Sequence, residues 1–190
     1  MIGAVILAAG ESSRMGEPKL LLEIKGELVI KRLINVFEGI VDKKVVVLGH
    51  EPENLIPIIN KSNAEWVINE DYKEGMSSSF KTGVSALEGC DAAFLVLGDQ
   101  PIIRKDYLKK AVNAWKKSAK MVSPIHNGKK GHPVLFDQSL FNEILALNKD
   151  ETVRKVIHAH DDEHELIESG EWAITDFDTP EDYERVKKKF

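Results

Sequence analysis

At 190 residues the chain can bury one sizeable core but is too short for two ordinary domains. A formal net charge of -5 lacks the basic excess of a surface that tracks nucleic-acid phosphates, and no apolar run reaches the ~20 residues of a membrane span. The one cysteine, Cys90, cannot form an internal disulfide, which suits a reducing compartment. The expectation is a cytoplasmic protein with one domain over residues 1–190, binding neither nucleic acid nor membrane. The first strand begins within three residues of the start, leaving no room for a signal peptide.

In chain order, short apolar runs alternate with amphipathic stretches. Strands are predicted at 3–8, 44–48, 66–68, 92–97 and 120–123, and helices at 29–37, 53–60, 77–87 and 105–117. The most apolar runs lack a period of two, as expected of strands covered on both faces. Strand-then-helix repetition implies an α/β fold, a mainly parallel sheet with helices on both sides. The last third is less regular. It offers a strand at 132–136, helices at 138–147 and 151–160, and a terminal helix over 179–189, with Thr179 as N-cap and Pro180 in first position.

Ligands of open parallel sheets bind beyond the carboxyl ends of the strands, so the loops there carry the functional reading. The first is Leu7–Lys19, LAAGESSRMGEPK. Gly10 and Gly16 permit unusual backbone angles, and Ala8 and Ala9 let a ligand approach the main chain. Consecutive amides in such a loop form an anion-binding concavity, to which Arg14 and Lys19 add charge. A polyphosphate fits. Lys19 is followed by Leu20, so this is not a Walker A loop, and the spacing of a dinucleotide fingerprint is missing. After the fourth apolar run comes Asp99. A carboxylate there, beside a triphosphate, calls for a cation such as Mg²⁺ between them. GMSSS (Gly75–Ser79) opens a helix, placing Gly75 and Ser77 near a nucleotide or, alternatively, using a serine as a plain N-cap. Asp176 and Asp178 flank Phe177 in an extended stretch and can share one side. HAHDDEH (158–164) lacks the spacing of a closed zinc site and reads as a solvated loop. Cys90 has no evident activating base, and Trp66, Trp115 and Trp172 read as core or edge aromatics.

The first loop resembles the signature of nucleotidyltransferases that make nucleoside-diphosphate derivatives. Within them it is most similar to the molybdenum-cofactor cytidylyl- and guanylyltransferase group. GMSSS, GDQP (98–101), GHPVLF (131–136) and DFDTPEDY (176–183) follow in that family's order. The resemblance implies a Rossmann-like three-layer α/β/α sandwich and Mg²⁺-dependent transfer of a nucleoside monophosphate to a phosphorylated acceptor, with release of pyrophosphate. It implies CTP as donor, a molybdopterin-type phosphate as acceptor and a molybdoenzyme as a possible recipient of the product. Catalytic roles fall on Arg14, Lys19 and Asp99, and Mg²⁺ on Asp99 with Asp178. Nucleotide contacts fall on Leu7, Ala8, Ala9, Gly10, Ser12, Ser13, Arg14, Met15, Gly16, Lys19, Gly75, Ser77 and Asp99. His132 lies on the acceptor side, where it either contacts the second substrate or belongs to a hairpin. The Ala9 methyl fills space that a purine would need. Other phosphorylated acceptors, GTP as donor, and a nucleotide-binding chaperone without turnover remain alternatives.

Overall fold

A computed structural model describes residues 1–189. The strands are β1 (Ile2–Ala8), β2 (Glu23–Ile24), β3 (Glu27–Leu28), β4 (Lys43–Leu48), β5 (Glu65–Ile68), β6 (Ala92–Leu97), β7 (Met121–His126), β8 (Lys129–Lys130), β9 (Val134–Asp137) and β10 (His164–Glu168). The helices are α1 (Val29–Asn35), α2 (Ile56–Ile59), α3 (Met76–Ser85), α4 (Lys105–Trp115), α5 (Phe141–Leu145), α6 (Val153–Ala159) and α7 (Pro180–Lys188). The main sheet runs β10-β7-β9-β6-β1-β4-β5, with β8 attached to β7. β1 is parallel to β4 and β6, while β9 enters antiparallel between β6 and β7.

All seven residues of β1 are buried. Ala4, Ile6 and Ala8 enter a core shared with α1, α4 and α7, while Val5 and Leu7 enter a second core shared with α3, α5 and α6. Two apolar faces explain the missing alternation and give the expected α/β layering. Among the described residues, no helix is long and apolar enough to cross a membrane.

Some elements differ from expectation. The pattern over 53–60 breaks into a 3-10 turn at Pro52–Asn54 and the short α2. Pro57, lacking an amide hydrogen, sits in the first turn of α2 and prevents the helix from extending backwards. The pattern over 138–147 breaks likewise into a 3-10 turn and α5. α7 carries a capping box between Thr179 and Asp182, with Pro180 in its first turn, as its sequence indicates. The β2–β3 hairpin turns at Lys25 and Gly26, whose positive φ values of 51° and 76° suit a tight hairpin, and sequence reading misses it.

The solvated-loop reading of 158–164 is corrected. Its first residues end α6, the next form a 3-10 turn, and His164 begins β10 with a side chain only 1% exposed. His164 Nε2 lies 2.8 Å from Ser123 Oγ on the neighbouring strand, and burial lowers its pKa to about 4.

Candidate active site

The register brings three strand ends together. Leu7 stands opposite both Val47 of β4 and Leu97 of β6, so Ala9, Gly49 and Gly98 leave the sheet side by side. The His50 amide donates to Ala9 O at 3.2 Å, and the Asn69 amide, just after β5, donates to Leu48 O at 2.8 Å. A Cβ on Gly98 would lie 2.4 Å from Leu7 O, so this crossing excludes a side chain. Beyond these ends lies a cavity of about 230 Å³.

Leu7, Ala8, Ala9, Gly10, Ser12, Lys19, Gly75 and Asp99 all line that cavity, as their sequence positions suggest. Ser13 and Gly16 instead line a second cavity of about 330 Å³, across the loop. Met15 is corrected: only 7% exposed, it anchors the loop in the α1-side core rather than facing a ligand. Ser77 is not among the lining residues. α3 begins at Met76, and the helical period puts Met76 and Ser79 on the cavity face, one turn apart. The helix is capped by Gly75 at φ 110°, without a serine side-chain cap. Leu20, Tyr72, Met76, Ser79, Leu97 and Gly98 complete the lining and were missed. Ser79 was legible only as one of three consecutive serines.

Ser12 organises the loop. Its φ is 52°, its carbonyl accepts from the Met15 amide at 2.9 Å, and its Oγ accepts from the Lys19 amide at 3.2 Å. The amides of residues 10–14 donate to no group among the described residues. Five free donors beside Arg14 and Lys19 are the chemistry of an anion cradle, as the loop sequence suggests.

Across the cradle stand the carboxylates. Lys19 Nζ donates to Asp178 Oδ1 at 2.7 Å, and Arg14 Nη2 to Asp178 Oδ2 at 2.6 Å. The Lys19 hydrogen bond, with Arg14 assisting, holds the Asp178 carboxyl below its ordinary range despite partial burial. Asp99 is the opposite case. Its Oδ1 is buried without a partner, and burial pushes its carboxyl up. Lys19 opposes that shift, while Asp178 and Asp176 reinforce it. The Phe177 amide donates to Asp99 O at 3.0 Å, joining the two segments. Phe177 is fully buried between an exposed Asp176, which has no bonded partner among the described residues, and the half-buried Asp178.

His132 does not line the cavity. Its amide donates to Ala173 O at 3.0 Å, its Nδ1 is buried without a partner, and burial, reinforced by Arg154, lowers its pKa to about 4. Cys90 is buried, which raises its thiol pKa and leaves it unreactive.

A mainly parallel sheet that presents an anion cradle and an open carboxylate beyond its strand ends is a nucleotide-handling α/β arrangement. The profile of the MobA-like NTP transferase domain matches residues 4–164, and the chain belongs to that family of nucleotidyltransferases. It is 29% identical over 190 residues to the molybdenum cofactor cytidylyltransferase of Escherichia coli (strain K12), covering 100% of this chain and 97% of that one. It is 30% identical over 198 residues to the purine catabolism protein PucB of Bacillus subtilis (strain 168), covering 97% and 95%. Among solved structures it resembles Rv0371c of Mycobacterium tuberculosis H37Rv, with a TM-score of 0.87 at 25% identity, covering 98% and 97%. A manganese complex of Rv0371c matches the fold with a TM-score of 0.83 at 23% identity, covering 100% and 99%.

Proposed function

We propose that this nucleotidyltransferase moves CMP from CTP onto a phosphorylated acceptor, a molybdopterin-type dithiolene phosphate being favoured, and releases pyrophosphate. The observation that carries the reading is a cavity that places free loop amides and Lys19 opposite a buried, unpartnered carboxylate oxygen of Asp99, with Arg14 held outside it on Asp178. The full-length likeness to a cytidylyltransferase supports the choice of base and acceptor.

The acceptor phosphate oxygen attacks the α-phosphorus in line. A new P–O bond forms as the bond to the β-phosphate oxygen breaks, and pyrophosphate departs with that electron pair. An acceptor phosphate is already anionic, so no general base is required, in keeping with a His132 that is neutral and outside the cavity. Loop amides and Arg14 hold the β,γ-phosphates, and Lys19 offsets charge growing at the α-phosphate. Positioning supplies much of the rest.

No three metal-ligating side chains cluster among the described residues, but Asp99 Oδ1, a buried oxygen without a hydrogen-bond partner, suits a small divalent cation whose other ligands would be phosphate oxygens and water. A divalent cation held there would supply positive charge to the triphosphate. Asp99 would hold it. Asp178, both of whose oxygens bind Lys19 and Arg14, would be the second residue available to hold it. The Ala9 methyl lines the cavity but packs toward Gly49, where an added Cβ would lie 2.8 Å from it, so it contributes little to the choice of base.

The test is pyrophosphate release from CTP, GTP, ATP and UTP, each with a panel of phosphorylated acceptors and with none. Acceptor-dependent release, greatest with CTP, is expected. Nucleotide binding without release under any combination would replace catalysis with a nucleotide-carrying role.

A further inference from the structure

Asn69 follows β5 and is 4% exposed, a polar side chain enclosed at the edge of the cavity. Its neighbours settle the orientation of its amide. The Asp71 backbone N–H, which can only donate, gives its hydrogen bond to Asn69 Oδ1 at 3.1 Å. Nδ2 must therefore face the serines, donating to Ser78 Oγ at 2.9 Å and Ser79 Oγ at 3.0 Å. Both amide hydrogens are spent, one on each hydroxyl.

Each serine that accepts from Asn69 keeps one proton to give. Ser78 has two carbonyls for it, Asp71 O at 2.9 Å and Gly75 O at 2.8 Å. Ser79 has no acceptor among the described residues, and it lines the cavity. The proton of Ser79 is thus directed away from Asn69 and toward whatever occupies the cavity. Three identical residues in a row receive different roles: Ser77 lies outside, Ser78 braces the turn before α3, and Ser79 faces the ligand.

We propose that Asn69 is a positioning residue that fixes Ser79 as a hydrogen-bond donor to an acceptor atom on the base of the bound nucleotide. The inference rests on the nucleotidyltransferase reading of this cavity and adds a residue that orients one contact to the base. Cytosine offers O2 and N3 as acceptors, and either satisfies a lone hydroxyl donor. A base that turned an amino group to this hydroxyl would leave two donors facing each other, a buried mismatch.

Calorimetric titration of CTP and of ribose 5-triphosphate, which lacks the base, tests this without turnover. Asn69→Asp keeps the shape and the acceptor for Asp71 but replaces the amide donor with an oxygen. The Ser79 hydroxyl then turns its proton inward. The new negative charge weakens both triphosphates alike, whereas reversal of the hydroxyl weakens only the ligand with a base. The CTP affinity should fall ~10–100-fold more than the ribose triphosphate affinity. Ser79→Ala, a small change that tests the same contact if Asn69→Asp fails to fold, should weaken CTP alone. Combining the two should add nothing to the base-dependent loss, since both remove one contact. Equal losses for both ligands in Asn69→Asp, or no loss of CTP in Ser79→Ala, would overturn the inference while leaving the nucleotide reading standing. Failure of the unaltered protein to bind any nucleoside triphosphate would overturn both.

Discussion

The segments after β6 and before α7 each bring one aspartate close to Lys19, Asp99 on the cavity wall and Asp178 outside it, and the two are set oppositely. Asp178 keeps both oxygens on cations, Lys19 at 2.7 Å and Arg14 at 2.6 Å, and its carboxyl is held low. Asp99, tied to the same segment through Phe177, has a buried oxygen with no partner and a carboxyl pushed up by burial. Burial without a partner costs free energy, and a protein keeps such a group where something positive arrives later. On the proposed function, Asp178 parks the two cations that the triphosphate needs. Asp99 leaves a place for positive charge that the chain itself does not fill.

The sharpest way to break this comparison is to neutralise Asp99. Asp99→Asn should lower turnover by ~10²–10³, the usual cost of losing one group that organises transition-state charge. The same change should raise thermal stability near neutral pH. A carboxyl whose folded pKa is raised destabilises the fold above that pKa and costs nothing below its ordinary value of 3.8. Melting curves of variant and parent should therefore converge as pH falls toward that value. Retained turnover, or a lower melting temperature at pH 7, would remove Asp99 from its role.

Lys19→Ala should cost nearly as much activity, ~10²-fold, because the ammonium is charged and three-quarters enclosed by the site's walls or more, at 17% exposure. The fold should survive, since no core depends on the ammonium. Near-normal kcat in acceptor-dependent pyrophosphate release would reassign the residue to a structural pair with Asp178.

Asp178→Asn should be milder in rate than Asp99→Asn, and opposite in stability. Its folded pKa is lowered, so its stabilisation is present above the ordinary 3.8 and is lost as pH falls through the folded value. The variant should lose stability at neutral pH, chiefly through its enclosed pair with Lys19 and less through Arg14, which is 69% exposed and screened by water, and nothing in strong acid. Asp176→Asn, an exposed and unpaired site, should match the parent in both assays. If Asp176→Asn proved the more damaging of the two, the assignment of the second carboxylate would be reversed.

The smallest effect is expected from Ala9→Gly. Removing a methyl packed toward Gly49 should change the ratio of kcat/KM between CTP and GTP by less than ~10-fold, the lower end of what a methyl group discriminates. A switch to GTP would return base selection to this methyl.

What could be read from the sequence was local. The buried runs of β1, β4 and β6 declared themselves by apolar residues without alternation, since both faces of those strands are covered. Thr179 and Pro180 announced α7 because capping is settled within four residues. The cradle was legible because glycines, small residues and two cations fall in one loop. Tertiary structure decided the rest. Strand β10 is a poorly apolar edge strand whose pairing with β7 spans some forty positions, about the separation of His164 from Ser123, and no local period encodes such a partner. Asp178 reaches Lys19 across 159 positions, and only the fold makes one of two nearby aspartates a parking place for cations and leaves Asp99 open. Composition treats Ser77, Ser78 and Ser79 alike. The helical period of α3 and a single buried amide, Asn69, distinguish them, because the direction of a hydroxyl proton is fixed by its neighbours in space.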